Sequence, residues 1–306
     1  MREKSRNGGR FFRSSAGIAS LVGLLLASSG CGDGSDDDYN PNLFAVEFAA
    51  DTYVTVGEDY AVANSVDGED FYLQGVSCCG ALRALAFGDG VWFTGGSDGV
   101  IFTSTDTANW FVQFLDTDET MHGAAFGSGT YVFVGGRGEV FRSTNAGAWA
   151  FEPTDTRETL YDVVFADGRF VAVGAVGTIL TSVDGNAWTI EDAGTTEDLF
   201  GVGWGDDVFV AVGKRGVILT SGDGSTWEAA DSPTDQALNE VAHGIGTFVV
   251  VGDNGTVLTS ADAVSFTERD SDTRKELLGV TFGDDLFVAV GRDAEILNST
   301  DGVEWF

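Results

Sequence analysis

The chain has 306 residues, with 16 Lys and Arg against 48 Asp and Glu, for a formal charge of −32 at pH 7. That balance excludes nucleic-acid binding through phosphates, which needs clustered Lys and Arg, and it repels anionic lipid and acidic partners while attracting cations and basic proteins. With two histidines and three cysteines in the whole chain, no metal site and no cofactor are expected.

Residues 1–30 read as a targeting segment. Arg2, Lys4, Arg6, Arg10 and Arg13 make a basic start, and AGIASLVGLLLASSG follows as an apolar run short for a bilayer span. The run ends at Cys31 in LLLASSGCG, which resembles the lipobox of bacterial lipoproteins, with Ser28 where that family usually has Leu. The resemblance implies lipidation at Cys31 and a lipid-anchored protein of the bacterial cell envelope, facing the periplasm or the cell surface. Signal cleavage near residues 27–30 without lipid, or an uncleaved anchor, are the alternatives. Cleavage before Cys31 leaves 11 basic and 47 acidic residues, a charge of −36. Residues 31–42 then form the lipidated Cys and an acidic, Gly-rich, flexible tether.

From residue 43 to 306 the chain repeats every 39 residues, without insertion or deletion. Ser65, Ser104, Ser143, Ser182, Ser221, Ser260 and Ser299 mark the period. One column is glycine throughout: Gly57, Gly96, Gly135, Gly174, Gly213, Gly252, Gly291. Four residues before it the column is aromatic, from Tyr53 to Phe287, and a second aromatic column runs from Phe71 to Trp305. The fourth row divides into LYDVVF, RFVAVG, TILTS and WTIED, each rich in residues that favour a pleated sheet. Turn signals separate these runs, with Gly99, Gly138, Gly177, Gly216 and Gly255 at a hairpin that requires φ > 0. Four short antiparallel strands per row predict one propeller blade, so the expected fold is all-β, a seven-bladed β-propeller. The last row ends at Phe306, which predicts three strands and a stub in blade seven. Ring closure is then expected by face packing of blade one on blade seven.

Each row carries S-x-D-G-x-x-W or a close variant between its third and fourth strands. Asp67, Asp106, Asp184, Asp223, Asp262 and Asp301 fill the carboxylate position, and Asn145 fills it in row three. Asp and Asn share the ability to cap a turn by accepting from backbone N–H groups. An Asn in that position argues for a structural turn and against acid–base chemistry. The motif resembles the Asp-box, or BNR repeat, of sialidase-type propellers. The whole row is similar to bacterial BNR propellers and to photosystem II stability/assembly factor-like proteins. That resemblance implies the fold but not one function, since the family holds enzymes, assembly factors and envelope proteins.

No catalytic residue is assigned. Sialidases also need an arginine triad, a Tyr nucleophile and an acid Asp, whereas Arg137, Arg142, Arg169, Arg215 and Arg292 sit mostly in repeat turns. His243 stands in a column of aromatic residues and reads as packed core; His122 falls in a column expected near the channel mouth. The candidate binding rim is the set of loops between blades: Thr117, Asp118, Glu119 and His122; Thr156, Arg157 and Glu158; Thr195 and Glu197; Thr234 and Asp235; Thr273 and Arg274. Row one alone has cysteines there. Cys78 and Cys79 are either a candidate vicinal disulfide stiffening the loop, strained because adjacent Cα atoms lie only about 3.8 Å apart, or two small residues filling a turn. The expected function is a non-enzymatic, membrane-tethered binding or assembly platform with a protein or glycan ligand, no nucleic acid, and membrane contact through the lipid only. A glycan-active enzyme using carboxylates at the channel mouth is the alternative.

Overall fold

The computed structural model describes residues 40–75 and 80–306. Every strand in it belongs to one of seven antiparallel sheets. Blade 1 contains β1 (Leu43–Ala49), β2 (Thr52–Gly57), β3 (Val62–Ser65) and β4 (Tyr72–Gly75). Blade 2 contains β5 (Leu82–Gly88), β6 (Val91–Gly96), β7 (Val100–Ser104) and β8 (Phe111–Phe114). Blade 3 contains β9 (Met121–Gly127), β10 (Thr130–Gly135), β11 (Val140–Ser143) and β12 (Ala150–Glu152). Blade 4 contains β13 (Leu160–Ala166), β14 (Arg169–Gly174), β15 (Ile179–Ser182) and β16 (Thr189–Glu191). Blade 5 contains β17 (Leu199–Gly205), β18 (Val208–Gly213), β19 (Ile218–Ser221) and β20 (Glu228–Ala229). Blade 6 contains β21 (Leu238–Gly244), β22 (Thr247–Gly252), β23 (Val257–Ser260) and β24 (Thr267–Arg269). Blade 7 contains β25 (Leu277–Gly283), β26 (Leu286–Gly291) and β27 (Ile296–Ser299). The protein is therefore a seven-bladed β-propeller whose last blade has three strands. In place of a fourth strand, Phe306 exchanges two backbone hydrogen bonds with Asn298, at 3.0 and 3.1 Å.

The second strand of each blade is apolar on both faces because a neighbouring blade covers each face. Phe170, Phe209, Phe248 and Phe287 are at most 1% exposed, and burying each such ring contributes about 2–3 kcal/mol. A hydrophobic cluster lies at every junction between consecutive blades. The one between blades 7 and 1 joins Val288 and Val290 to Leu43, Val46, Tyr53 and Phe71. Phe48 lies over Gly283, where an added Cβ would come within 1.9 Å of the ring, and Tyr53 Oη donates to the Gly283 carbonyl. The same arrangement recurs inside the ring, where Phe126 covers Gly88 and Tyr131 Oη donates to the Gly88 carbonyl at 3.0 Å. Blade 1 thus packs on blade 7 as any blade packs on the next.

The seven-fold glycine column marks a close approach. At Gly174 an added Cβ would stand 2.2 Å from the carbonyl oxygen of Thr159, the residue before β13, and every glycine in the column meets the equivalent carbonyl. The hairpin between the second and third strands has two successive left-handed residues, such as Val176 (φ 56°) and Gly177 (φ 67°). Tyr60 (φ 54°) and Ala294 (φ 52°), which replace that glycine in the outer rows, take the same conformation.

The S-x-D-G-x-x-W segment folds as a closed turn. In blade 4, Ser182 Oγ accepts from the N–H of Gly185 at 2.9 Å. Asp184 Oδ1 accepts from the N–H groups of Asn186 and Ala187 at 2.9 and 3.4 Å. The Trp188 indole N–H donates to the Gly185 carbonyl at 3.1 Å. Backbone donors hold the Asp184 carboxyl below its ordinary pKa. Asn145 Oδ1 accepts from Gly147 and Ala148 N–H at 3.0 Å each, so an amide oxygen serves as well as a carboxylate.

Candidate functional site

The first strands of the seven blades surround a central bore of about 540 Å³. Near its start each of these strands contributes one residue to a ring: Phe44, Arg83, His122, Tyr161, Phe200, Asn239 and Leu278 line the bore. His122 and Tyr161 meet edge to face at 5.7 Å between centroids, and Tyr161 and Phe200 at 5.4 Å. The Arg83 guanidinium stands 4.0 Å over the Phe44 ring, a cation–π contact. Arg83 is the one Lys or Arg among the bore-lining residues. Burial, and Arg83 beside it, push the His122 pKa down to about 4, so the imidazole is neutral at pH 7. One mouth of the bore is therefore an aromatic arc with a single stacked cation.

Deeper in, three carboxyl groups line the same bore: Glu47 from blade 1, Asp162 from blade 4 and Glu240 from blade 6. Burial, then the charge of Asp162, raises the Glu47 pKa to about 7. Burial raises that of Asp162 to about 6 against the pull of the Val202 and Val163 N–H groups, and Val202 N–H donates to Asp162 Oδ2 at 2.8 Å. Glu240 is raised well above its ordinary value by burial and by Asp162. Among the described residues no three His, Cys, Asp or Glu side chains form a group able to hold a metal ion.

The expected rim residues divide. His122 lines the bore. The column threonines hold their own loops: Thr117, Thr156, Thr195, Thr234 and Thr273 each accept, through Oγ1, from the backbone N–H two residues on, at 3.0 to 3.2 Å. Thr117 Oγ1 also donates to Glu139 at 2.6 Å. Glu119 pairs with Arg137 at 2.9 Å and Glu197 with Arg215 at 3.4 Å, both arginines in hairpin turns of the same blades. Asp118, Arg157, Glu158, Asp235 and Arg274 are exposed. His243 lines the bore within the aromatic column, its ring 4.6 Å from Phe248 and its Nε2 3.1 Å from Asp206 Oδ2. Cys31, Cys78 and Cys79 lie outside the described residues.

Sequence reasoning missed the three bore carboxylates, and a signal was present. The column of Asp162 and Glu240 is otherwise Ala45, Ala84, Gly123, Gly201 and Gly279, and that of Glu47 is otherwise small, apolar or Thr281. An acid among such residues marks a position with room and no apolar neighbour to fill it.

No family model matches the chain, and no curated protein matches it in sequence. Solved structures do. YCF48 bound to D1 peptide matches with a TM-score of 0.70 at 17% identity, over 85% of this chain and 91% of that one. The chain is a propeller similar in structure to YCF48. YCF48 from Cyanidioschyzon merolae matches at 0.59 and 17% identity, over 73% and 84% of the two chains. The WD40 β-propeller domain of Doa1 matches at 0.69 and 11%, over 86% and 95%. At these identities the similarity establishes the fold.

Proposed function

We propose that this protein is a non-enzymatic binding or assembly platform that receives a polypeptide at the mouth of its bore. The observation that carries this reading is the ring containing Phe44, Arg83, His122, Tyr161 and Phe200. Rigid aromatic faces bury apolar side chains at low entropic cost, and a recessed guanidinium holds a carboxylate or a backbone carbonyl. That one of the similar structures is YCF48 bound to D1 peptide supports a polypeptide as the ligand class. The hydrogen-bonded S-x-D-G-x-x-W turns support the resemblance to Asp-box propellers. We place the protein in a bacterial cell envelope, anchored through lipidated Cys31; loss of palmitate labelling on Cys31→Ala tests that anchor, and labelling that persists refutes it.

The test of the platform is a photo-crosslinking residue in place of Tyr161, used in cells. The expected product is a protease-sensitive polypeptide adduct that Arg83→Gln reduces. Adducts confined to glycan, or none at all, refute the reading.

A glycan-active enzyme is the second reading, and the raised carboxyl groups of Glu47, Asp162 and Glu240 favour it. A general acid needs a carboxyl group still protonated near neutral pH.

A further inference from the structure

The outer strands of blades 2 and 3 expose three phenylalanines. β8 presents Phe111 and Phe114 at 67% and 72% exposure, and β12 presents Phe151 at 54%. The outermost strands of blades 5 and 6 carry Glu228–Ala229 and Thr267–Arg269 instead. Both β8 and β12 are edge strands, so their outward backbone groups are open to pairing. Between them lies a groove of about 630 Å³ lined by Phe114, Phe141, Trp149 and Phe151, with Asp116 and Glu139 as its ionisable residues.

Trp149 adds an independent observation. In blades 2, 4, 5 and 7 the indole N–H donates to the carbonyl three residues earlier, at 2.9 to 3.1 Å. In blade 3 that carbonyl, of Ala146, accepts instead from Gln113 Nε2 at 3.0 Å. The Trp149 N–H is buried and has no partner. A buried donor left unpaired is costly, and the indole that carries it lines the groove.

We propose that this groove docks an extended segment of a partner polypeptide whose groove-facing side chains, at every second position, are aromatic or apolar residues flanked by Lys or Arg. The segment lies along the open edge of β12, which offers backbone hydrogen bonds. Its apolar side chains cover Phe114, Phe151 and the Trp149 indole, and its cations face Asp116 and Glu139. No Lys or Arg lines the groove, so its charge suits a basic segment. A second copy of this chain is disfavoured, because two molecules of charge −32 would set the same carboxylates against each other. The same carboxylates repel anionic lipid. The groove is separate from the bore, and the proposal holds or fails independently of what the bore mouth receives.

The probe is a blocked peptide of about seven residues, a typical strand length, with Lys, Phe, Phe and Lys at alternate positions and Ser between them. A Lys–Ser peptide of equal length and charge is the control, and both are titrated into the full chain. The expected result is saturable binding of the Lys–Phe peptide about tenfold or more tighter than the control, with amide-exchange protection confined to residues 111–116 and 149–152. Phe114→Ser with Phe151→Ser weakens it about tenfold with unchanged circular dichroism; should that variant not fold, Asp116→Lys carries the test and weakens it about threefold or more. Absent binding, equal affinity for the two peptides, protection elsewhere, indifference to these variants, or capture of phosphatidylglycerol vesicles through the phenylalanines in place of peptide would each overturn the proposal.

Discussion

The backbone carbonyl of Pro41 accepts a hydrogen bond from the N–H of Ala294 at 2.9 Å, joining the segment before the first strand to a hairpin turn of the last blade. One position along, Asn42 Oδ1 accepts from Asp293 N–H at 3.0 Å and Asn42 Nδ2 donates to Glu58 at 2.8 Å. The equivalent bond within the ring runs from Gly99 N–H to the Glu119 carbonyl at 3.0 Å. Residues 41 and 42 therefore join blade 1 to blade 7 as the corresponding loops join blades within the ring. Compared with a chain starting at residue 40, one starting at residue 43 is expected to lose about 2–4 kcal/mol, at about 1 kcal/mol per hydrogen bond. Urea unfolding midpoints measure the difference.

Face packing at the same seam predicts a second result. Gly283→Ala brings a Cβ to within 1.9 Å of Phe48, whereas nothing lies within 4 Å of a Cβ added at Gly222. The expected cost is about 3 kcal/mol or more at Gly283 and within about 0.5 kcal/mol at Gly222. Differential scanning calorimetry of the two variants distinguishes a packed seam from a loose one.

Ile245 occupies the first position of a two-residue hairpin with φ 47°, and it is 52% exposed. A β-branched residue is strained there, and Asn followed by Gly246 is the favoured pair. Ile245→Asn is expected to stabilise the protein by about 1 kcal/mol, raising Tm by about 2 °C or more.

The bore carboxyl groups set a pH dependence. Glu47 moves from 4.5 to about 7 and Asp162 from 3.8 to about 6 on folding, chiefly by burial. Between those values the folded state holds more protons than the unfolded state, so stability falls as pH rises from about 4 to about 7 and levels off above that. Glu47→Gln removes its share. The variant is expected to match the wild type within about 0.5 kcal/mol near pH 4, and to exceed it at pH 8 by on the order of 1–3 kcal/mol. Denaturant titrations at the two pH values measure this.

The fold was legible because each blade must bury the same surfaces. A ring packed on both faces forces apolar residues into the second strand, an aromatic beside each turn, and a glycine wherever a neighbouring carbonyl comes close, as at Gly174 over Thr159. These constraints repeat every 39 residues and show up as columns. The bore residues were harder to read. Positions facing a lumen bury nothing that must repeat, so Glu47, Asp162 and Glu240 stand singly in different rows. The loop threonines repeat for a backbone reason, since in five rows the Oγ1 accepts from the N–H two residues on. The orphan N–H of Trp149 was invisible in sequence, because it depends on Gln113 of the preceding blade taking the carbonyl its counterparts use.

The most direct test of the central claim, that the propeller binds and does not catalyse, is a glycosidase panel run on the wild type and on Asp162→Asn and Glu240→Gln. The account predicts no turnover of any glycan by any of the three. Turnover by the wild type that either substitution abolishes would contradict it and make the bore an active site.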